Sequence, residues 1–99
     1  MKIIWSPKAK KTFLQILDWL SENWSRKEVD TFVTQTEETI EQIKNNPYLY
    51  QASEKHKNTR RGLVNKIISL YYRIKPRKNE VELITFWNNR QNPRKNKYQ

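Results

Sequence analysis

The chain has 99 residues, which is the size of one small domain with a limited hydrophobic core. It carries 20 Lys and Arg against 10 Asp and Glu, a formal net charge of +10, so the expected partners are nucleic acid, an acidic protein or an anionic surface. Because the chain has no cysteine and a single histidine, disulfides and the usual zinc or iron sites are excluded, and no metal or cofactor is expected.

The basic residues are concentrated in the second half of the chain. Residues 1–53 hold seven Lys or Arg and seven Asp or Glu, whereas residues 54–99 hold the other 13 Lys or Arg and only three Glu. A basic binding site is therefore predicted in the second half. Neither a signal peptide nor a stretch of about 20 apolar residues is recognisable, so a cytoplasmic protein without membrane contact is expected.

The first third of the chain predicts a strand followed by two helices. The segment Ile3-Ile4-Trp5 favours a short strand, and Ser6 and Pro7 are typical of an N-cap and a first helical position. The apolar residues that follow recur at steps of three and four and predict a helix to about Asn23, with a stripe of Ala9, Phe13, Ile16, Leu17, Leu20 and Trp24.

A second helix is predicted to begin at a capping box formed by Ser25 and Glu28, where Trp24 is expected to pack on Val29. Its apolar stripe is Val29, Phe32, Val33, Thr36, Ile40 and Ile43. It ends before Pro47, because proline cannot continue the helical hydrogen bonding. Two helices with almost no linker predict an antiparallel hairpin.

The remainder predicts a loop and three strands. Residues 47–58 lack periodicity, and strands are expected at about 60–66, 67–75 and 80–88, with a hairpin turn over 76–79. In the middle strand, alternation directs Ile68, Leu70, Tyr72 and Ile74 towards the helices and leaves Ser69, Tyr71 and Arg73 on an open face. The predicted fold class is α+β, with an N-terminal strand and an α-helical hairpin packed on one face of a small antiparallel sheet (β-α-α-β-β-β). Residues 1–93 are expected to form the single domain and residues 94–99 a basic tail.

The candidate site residues are mostly cationic. With no cysteine nucleophile, no glycine-rich phosphate loop and no second histidine, the remaining chemistry is cationic stabilisation of RNA cleavage, because RNA supplies its own 2'-hydroxyl nucleophile. Arg90, directly after the last strand, is the foremost candidate. Arg60 and Arg61 alternate across their strand, so one of them is expected to face a site, and Tyr98 could stack on a base or donate its hydroxyl.

Four further side chains are candidates for substrate binding: Arg73, Lys66, Tyr71 and Lys95. For Arg73 the alternative is a salt bridge to Glu82 across the hairpin. For Arg60 and Arg61 the alternative is a solvated edge strand, and for Tyr98 it is a disordered tail.

Several motifs make the chain similar to the RelE/ParE superfamily of type II toxin-antitoxin toxins. The segments that carry the resemblance are Ser6-Pro7-Lys8-Ala9, Arg60-Arg61-Gly62-Leu63-Val64, Leu70-Tyr71-Tyr72-Arg73-Ile74 and Phe86-Trp87-Asn88-Asn89-Arg90-Gln91-Asn92-Pro93. The resemblance implies the same order of strand, helical hairpin and sheet. It also implies an acidic, partly disordered antitoxin as partner, which the basic charge would favour.

The superfamily divides by target. RelE-like members cut messenger RNA on the ribosome with basic residues and a tyrosine, and the resemblance then assigns catalytic positions to Arg90, to Arg60 or Arg61, and to Tyr98. ParE-like members poison DNA gyrase. The basic second half favours RNA cleavage on the ribosome, which is the predicted activity, with gyrase poisoning as the alternative. Two features favour gyrase instead: Ser69 stands where RelE has an arginine on the central strand, and the two helices are long. A third possibility is a basic binding module with neither activity.

Overall fold

The two predicted helices are present with their predicted capping residues. The computed structural model describes residues 1–90, and in it α1 spans Pro7–Asn23 and α2 spans Arg26–Asn45. Ser6 caps α1, because its hydroxyl accepts from the Ala9 amide at 3.0 Å. At the start of α2, Ser25 and Glu28 form the capping box, and the hydrogen bond from the Ser25 hydroxyl lowers the pKa of the Glu28 carboxyl.

The chain beyond the helices forms strands that complete a five-stranded sheet. The strands are β1 (Lys2–Trp5), β2 (Gln51–Ala52), β3 (Thr59–Leu63), β4 (Ile68–Lys75) and β5 (Glu80–Asn88), in the spatial order β1-β5-β4-β3-β2. Neighbouring strands run antiparallel except that β1 pairs with β5 in parallel. The predicted α+β class and the order of strand, helical hairpin and sheet are confirmed, but the sheet, predicted as antiparallel, is mixed because β1 runs parallel to β5, and it has the additional strand β2.

Three local features differ from the predictions. The predicted loop over 47–58 contains the two-residue strand β2, and β3 ends at Leu63, before the predicted limit. The turn between β4 and β5 is a 3-10 helix over Pro76–Lys78 that closes at Asn79 in the left-handed conformation, with φ 55°. Asparagine tolerates that conformation better than most residues.

The core lies between the helical hairpin and one face of the sheet. The helices contribute Ala9 and Ile43, which are fully buried. They share the core with the residues of β4 that were predicted to face inward, which are Ile68, Leu70, Tyr72 and Ile74. The inward half of the alternation prediction for β4 is therefore confirmed, whereas Ser69 and Tyr71, predicted on an open face, are buried with 0% and 2% exposure because neighbouring residues cover that face. Trp24, predicted as part of the apolar stripe of α1, is instead the C-cap residue of that helix and is 52% exposed, close to Trp19.

A β-bulge in β5 determines how the sheet meets α1. Tyr71 pairs with Thr85 and Tyr72 with Leu83, so Ile84 has no partner on β4. Two residues of the α1 region satisfy the backbone there. The Ser6 hydroxyl donates to the Ile84 carbonyl at 2.9 Å, and the Phe86 amide donates to the Thr12 hydroxyl at 3.0 Å. Since β1 ends at Trp5, these bonds replace strand pairing along the rest of β5.

Neither of the two helices is both long and apolar enough to cross a membrane.

Candidate functional site

The candidate site lies where β3, β4 and the end of β5 meet on the sheet face opposite the helical hairpin. Arg61 of β3 is the register partner of Tyr71 on β4, and Ser69 of β4 is the partner of Trp87 on β5. Residues directly opposite each other in a sheet point to the same face, and Ser69 and Tyr71 are two positions apart. Arg61, Ser69 and Tyr71 are therefore brought to one face by strand register alone.

Arg61 is held by two neutral side chains. Its Nε donates to the Ser69 hydroxyl at 2.9 Å, and its Nη2 donates to the Asn89 side-chain oxygen at 3.2 Å. The Ser69 hydroxyl itself donates to that same oxygen at 2.8 Å. Arg61, Ser69 and Asn89 therefore form a closed triangle of hydrogen bonds, which we call the Arg61 clamp.

The end of β5 is tied to the β3–β4 turn. The Asn89 backbone amide donates to the Ile67 carbonyl at 2.6 Å, and its side-chain nitrogen is 3.5 Å from the Lys66 carbonyl. The Arg90 amide donates to the Asn88 side-chain oxygen at 2.9 Å. The backbone is thus fixed as far as Arg90, whose side chain is exposed directly after the Arg61 clamp.

Arg60 lies on the opposite face from Arg61. Its Nη1 donates to the carbonyls of Tyr48 at 3.1 Å and Tyr50 at 2.6 Å, and its guanidinium lies 5.1 Å from the centre of the Tyr48 ring. The Tyr72 hydroxyl donates to the Pro47 carbonyl at 2.6 Å in the same region. Burial there raises the pKa of Tyr72. Arg60 and Tyr72 therefore hold the segment that follows α2 in place. Of the two adjacent arginines, Arg61 is the one that faces the candidate site.

The predicted substrate-binding residues occupy different environments. Tyr71, predicted on an open face, is buried, with 2% exposure, and with Arg61 it lines a cavity of about 300 Å³ beside β2. Arg73 is the register partner of Glu82, but Glu82 instead pairs with Lys75 at 3.6 Å. Lys66 is exposed in the turn whose carbonyl Asn89 approaches.

Two predicted site residues, Tyr98 and Lys95, lie outside the described residues. Within residues 1–90 no group of three histidine or acidic side chains is placed to hold a metal ion. The ion pair between Lys75 and Glu82 involves neither Arg61 nor Arg90. The hydrogen-bond partners of Arg61 are neutral, so within the described residues no bonded carboxylate cancels the charge of Arg61. This arrangement is suited to binding an anionic group.

The sequence does not identify Asn89 as a site residue, and it identifies Ser69 only as the replacement for a family arginine. Both take part in the Arg61 clamp. The one sequence feature that points to Asn89 is its position immediately before Arg90 at the end of a predicted strand. The contact between Asn89 and Arg61, 28 positions apart, depends on the order of β3, β4 and β5 in the sheet.

The family of the chain is shown by a comparison with protein-family models. A family model described as "ParE toxin of type II toxin-antitoxin system, parDE" matches residues 3–93. No curated protein sequence matches the chain. Among solved structures, the chain is similar to one of the chromosomal ParDE toxin-antitoxin system from P. aeruginosa, with 14% identity, a TM-score of 0.72, and coverage of 89% of this chain and 95% of that chain.

Two further solved structures have the same fold. One is a YoeB/ParE toxin from Agrobacterium tumefaciens, with 14% identity, a TM-score of 0.61, and coverage of 90% of this chain and 99% of that chain. The other is a YoeB-YefM complex from Staphylococcus aureus, with 20% identity, a TM-score of 0.53, and coverage of 87% and 93%. At these identities the structures establish the fold, and the family model covers nearly the whole length. The chain therefore belongs to the ParE toxin family of type II toxin-antitoxin systems, within the RelE/ParE superfamily.

Proposed function

We propose that this toxin arrests growth as a ParE-like poison of DNA gyrase, by binding its target rather than by cleaving RNA. The observation that carries the proposal is the environment of Ser69. The resemblance to RNA-cleaving members implies an arginine at this point of the central strand. Here the residue is a serine with 0% exposure, and its hydroxyl is bonded to both Arg61 and Asn89.

This environment removes one of the cations that RNA cleavage would use. A guanidinium at position 69 would stabilise the negative charge that develops on the phosphate, whereas a buried serine bonded on both sides carries no charge. The neighbouring cation, Arg61, is bonded to the same serine. The described part of the site therefore offers fixed positive charge for recognition and few groups for catalysis.

The partner that keeps the toxin inactive is proposed to be an acidic, partly disordered antitoxin. Family membership supports this, as does the net charge of +10, which favours association with an acidic segment. The solved relatives include toxin-antitoxin complexes, namely ParDE from P. aeruginosa and YoeB-YefM from Staphylococcus aureus.

The test is to induce the toxin in cells without its antitoxin and to measure the incorporation of labelled thymidine and methionine. Gyrase poisoning predicts an early loss of DNA synthesis, chromosome breaks and filamentous cells while translation continues. Purified toxin is expected to inhibit supercoiling by the gyrase holoenzyme. Normal supercoiling at a saturating toxin concentration would reject the proposal.

A charge-matched pair of variants tests whether the site on the sheet is responsible. Arg90→Ala removes an exposed cation beside the Arg61 clamp, and Lys78→Ala removes an exposed cation at the distant hairpin turn. We expect the first to weaken gyrase inhibition by about tenfold or more and the second by less than about twofold, because exposed charges away from an interface contribute little. Equal effects would indicate a nonspecific charge effect.

RNA cleavage on the ribosome is the second candidate, favoured by two cations near the end of β5, namely Arg61, which is hydrogen-bonded to Asn89, and Arg90, which directly follows Asn89 in the chain. It predicts that translation stops first and that messenger RNA is cut within ribosomes. Under this alternative, Tyr98→Phe and Arg90→Ala would each abolish cleavage while antitoxin binding is retained.

A further inference from the structure

The Arg61 clamp is built from groups that no charge pattern in the sequence identifies. Asn89 uses one oxygen to accept from both Arg61 Nη2, at 3.2 Å, and the Ser69 hydroxyl, at 2.8 Å. Its backbone amide and side-chain nitrogen approach the carbonyls of the β3–β4 turn. Asn89 is thus connected on one side to the turn and on the other to Arg61.

We propose that Asn89 is a positioning residue, which together with Ser69 orients the Arg61 guanidinium to bind a carboxylate of the protein target. This inference rests on the proposed function, because it names the group that the same site recognises. Asn89 acts through Arg61 and makes no contact with the target itself.

The geometry of the guanidinium supports this role. Arginine has five N–H donors in a rigid plane, and the two bonds of the clamp involve Nε and one Nη2 hydrogen. The bonds to residues 1–90 leave three N–H groups of Arg61 unused, and their directions are set once Nε and Nη2 are fixed. An arginine held in this way loses less side-chain freedom on binding than a free one, so binding is tighter for the same contacts.

The polarity of the clamp favours a carboxylate ligand. Ser69 and Asn89 are neutral, so they orient Arg61 without cancelling its charge, in contrast to a salt bridge with Asp or Glu. Arg90 follows Asn89 directly and its side chain is exposed, so a second cation lies one residue along the chain from the clamp. Two guanidinium groups at one strand end are suited to an acidic patch on a protein surface.

The experiment is a double-mutant cycle on Arg61 and Asn89, read as the dissociation constant for purified gyrase holoenzyme and as the toxin level that halves growth rate. We expect Asn89→Ala to weaken both by about fivefold to twentyfold and Arg61→Ala by more. The double variant should be no weaker than Arg61→Ala alone, because Asn89 acts only through Arg61. Losses that multiply would overturn the proposal.

A control separates positioning from stability. Asn65→Ala removes the hydrogen bonds that the amides of Ile67 and Ile68 donate to the Asn65 side-chain oxygen, and the bond that the Asn65 side-chain nitrogen donates to Gln35. Within residues 1–90 the side-chain hydrogen bonds of Arg61 go to Ser69 and Asn89 and not to Asn65. Asn65→Ala should lower the melting temperature while leaving binding per folded molecule unchanged. In nuclear magnetic resonance spectra, the Arg61 Nε–H is expected to exchange slowly in the wild type and in Asn65→Ala, and quickly in Asn89→Ala. Slow exchange in Asn89→Ala would refute the clamp.

The two proposals can fail separately. If wild-type toxin does not bind gyrase, the proposed target is wrong, but growth inhibition and Arg61 exchange still measure the coupling of Asn89 to Arg61. If gyrase binds and Asn89→Ala binds as tightly as the wild type, the positioning role is wrong and the target stands. If the cycle shows coupling in binding to ribosomes with messenger RNA instead of gyrase, the ligand is a phosphate and the carboxylate assignment is rejected.

Discussion

Replacing Arg60 by alanine separates the two adjacent arginines that the sequence could not distinguish. Arg60 donates two charge-assisted hydrogen bonds, to the carbonyls of Tyr48 and Tyr50, and lies over the Tyr48 ring. Each such bond contributes about 1.5 to 3 kcal/mol, and the cation–π contact roughly 0.5 to 1 kcal/mol. The Arg60 Nε is buried and has no hydrogen-bond partner, which offsets about 1 to 3 kcal/mol of this gain.

The net destabilisation expected for Arg60→Ala is about 2 kcal/mol, since the guanidinium is only partly buried and solvent screens part of the gain. For a domain of this size, that corresponds to a fall of roughly 8 to 16 °C in melting temperature, measurable by calorimetry or circular dichroism. Growth arrest at a permissive temperature, normalised to folded protein, should change by less than about twofold, because Arg60 faces away from the Arg61 clamp.

Arg61→Ala is the matched comparison, because it makes the same chemical change one residue further along β3. Arg61→Ala should reduce growth arrest by more than about tenfold, because Arg61 is the cation of the candidate site. It should destabilise the fold by less than Arg60→Ala does, because the side chain of Arg61 bonds to Ser69 and Asn89 and does not hold a loop in place. The reverse pattern, with activity lost and stability unchanged for Arg60→Ala, would refute the assignment of Arg60 to the loop.

Substitutions at three other positions test the fold that supports the site. Tyr72→Phe should cost about 1 to 2 kcal/mol, because it leaves the Pro47 carbonyl without its buried donor. Because burial raises the pKa of Tyr72 above its ordinary value of 10.0, wild-type stability should fall as the pH rises above about 10, and Tyr72→Phe should show a smaller fall in chemical denaturation. Thr12→Val should destabilise by about 1 to 2 kcal/mol and speed hydrogen exchange at the Phe86 amide, which loses its acceptor; unchanged exchange would contradict this. At Gly62 an added methyl would meet Ile43 Cδ1 at 3.4 Å, so Gly62→Ala should change stability by less than about 1 kcal/mol, whereas Gly62→Val should cost about 2 kcal/mol or more through overpacking. Equal thermal stability of the two Gly62 variants would show that this contact is not tight.

The helices were predictable because their signals are local. Ser6 and Pro7 at the start of α1, and Ser25 and Glu28 at the start of α2, act within one turn of the residues they cap, so both first residues were predicted correctly. The prediction for Trp24 was wrong because periodicity continues past the point where the helix ends. Its backbone is extended at the C-cap, so Trp24 no longer follows the helical spacing of the stripe, and its side chain is 52% exposed.

The site was predictable only in part. Alternation along β3 shows that Arg60 and Arg61 face opposite sides, but not which side carries a site. The structure distinguishes them by their partners, which are loop carbonyls for Arg60 and the Ser69–Asn89 pair for Arg61. The same alternation predicts an accessible Tyr71, but accessibility depends on what surrounds the strand, and Tyr71 is 2% exposed.

Local sequence was sufficient for the helices, most of the strands and the sign of the surface charge. Caps, apolar periodicity and proline positions act over a few residues, and the excess of Lys and Arg is a matter of composition, so these features follow from the order of the amino acids alone. Which residues meet is decided by the tertiary fold. The parallel pairing of β1 with β5, the bulge at Ile84 and the contact between Arg61 and Asn89 depend on strand order and register. These are set by packing between segments far apart in the chain, for which a local pattern carries no information.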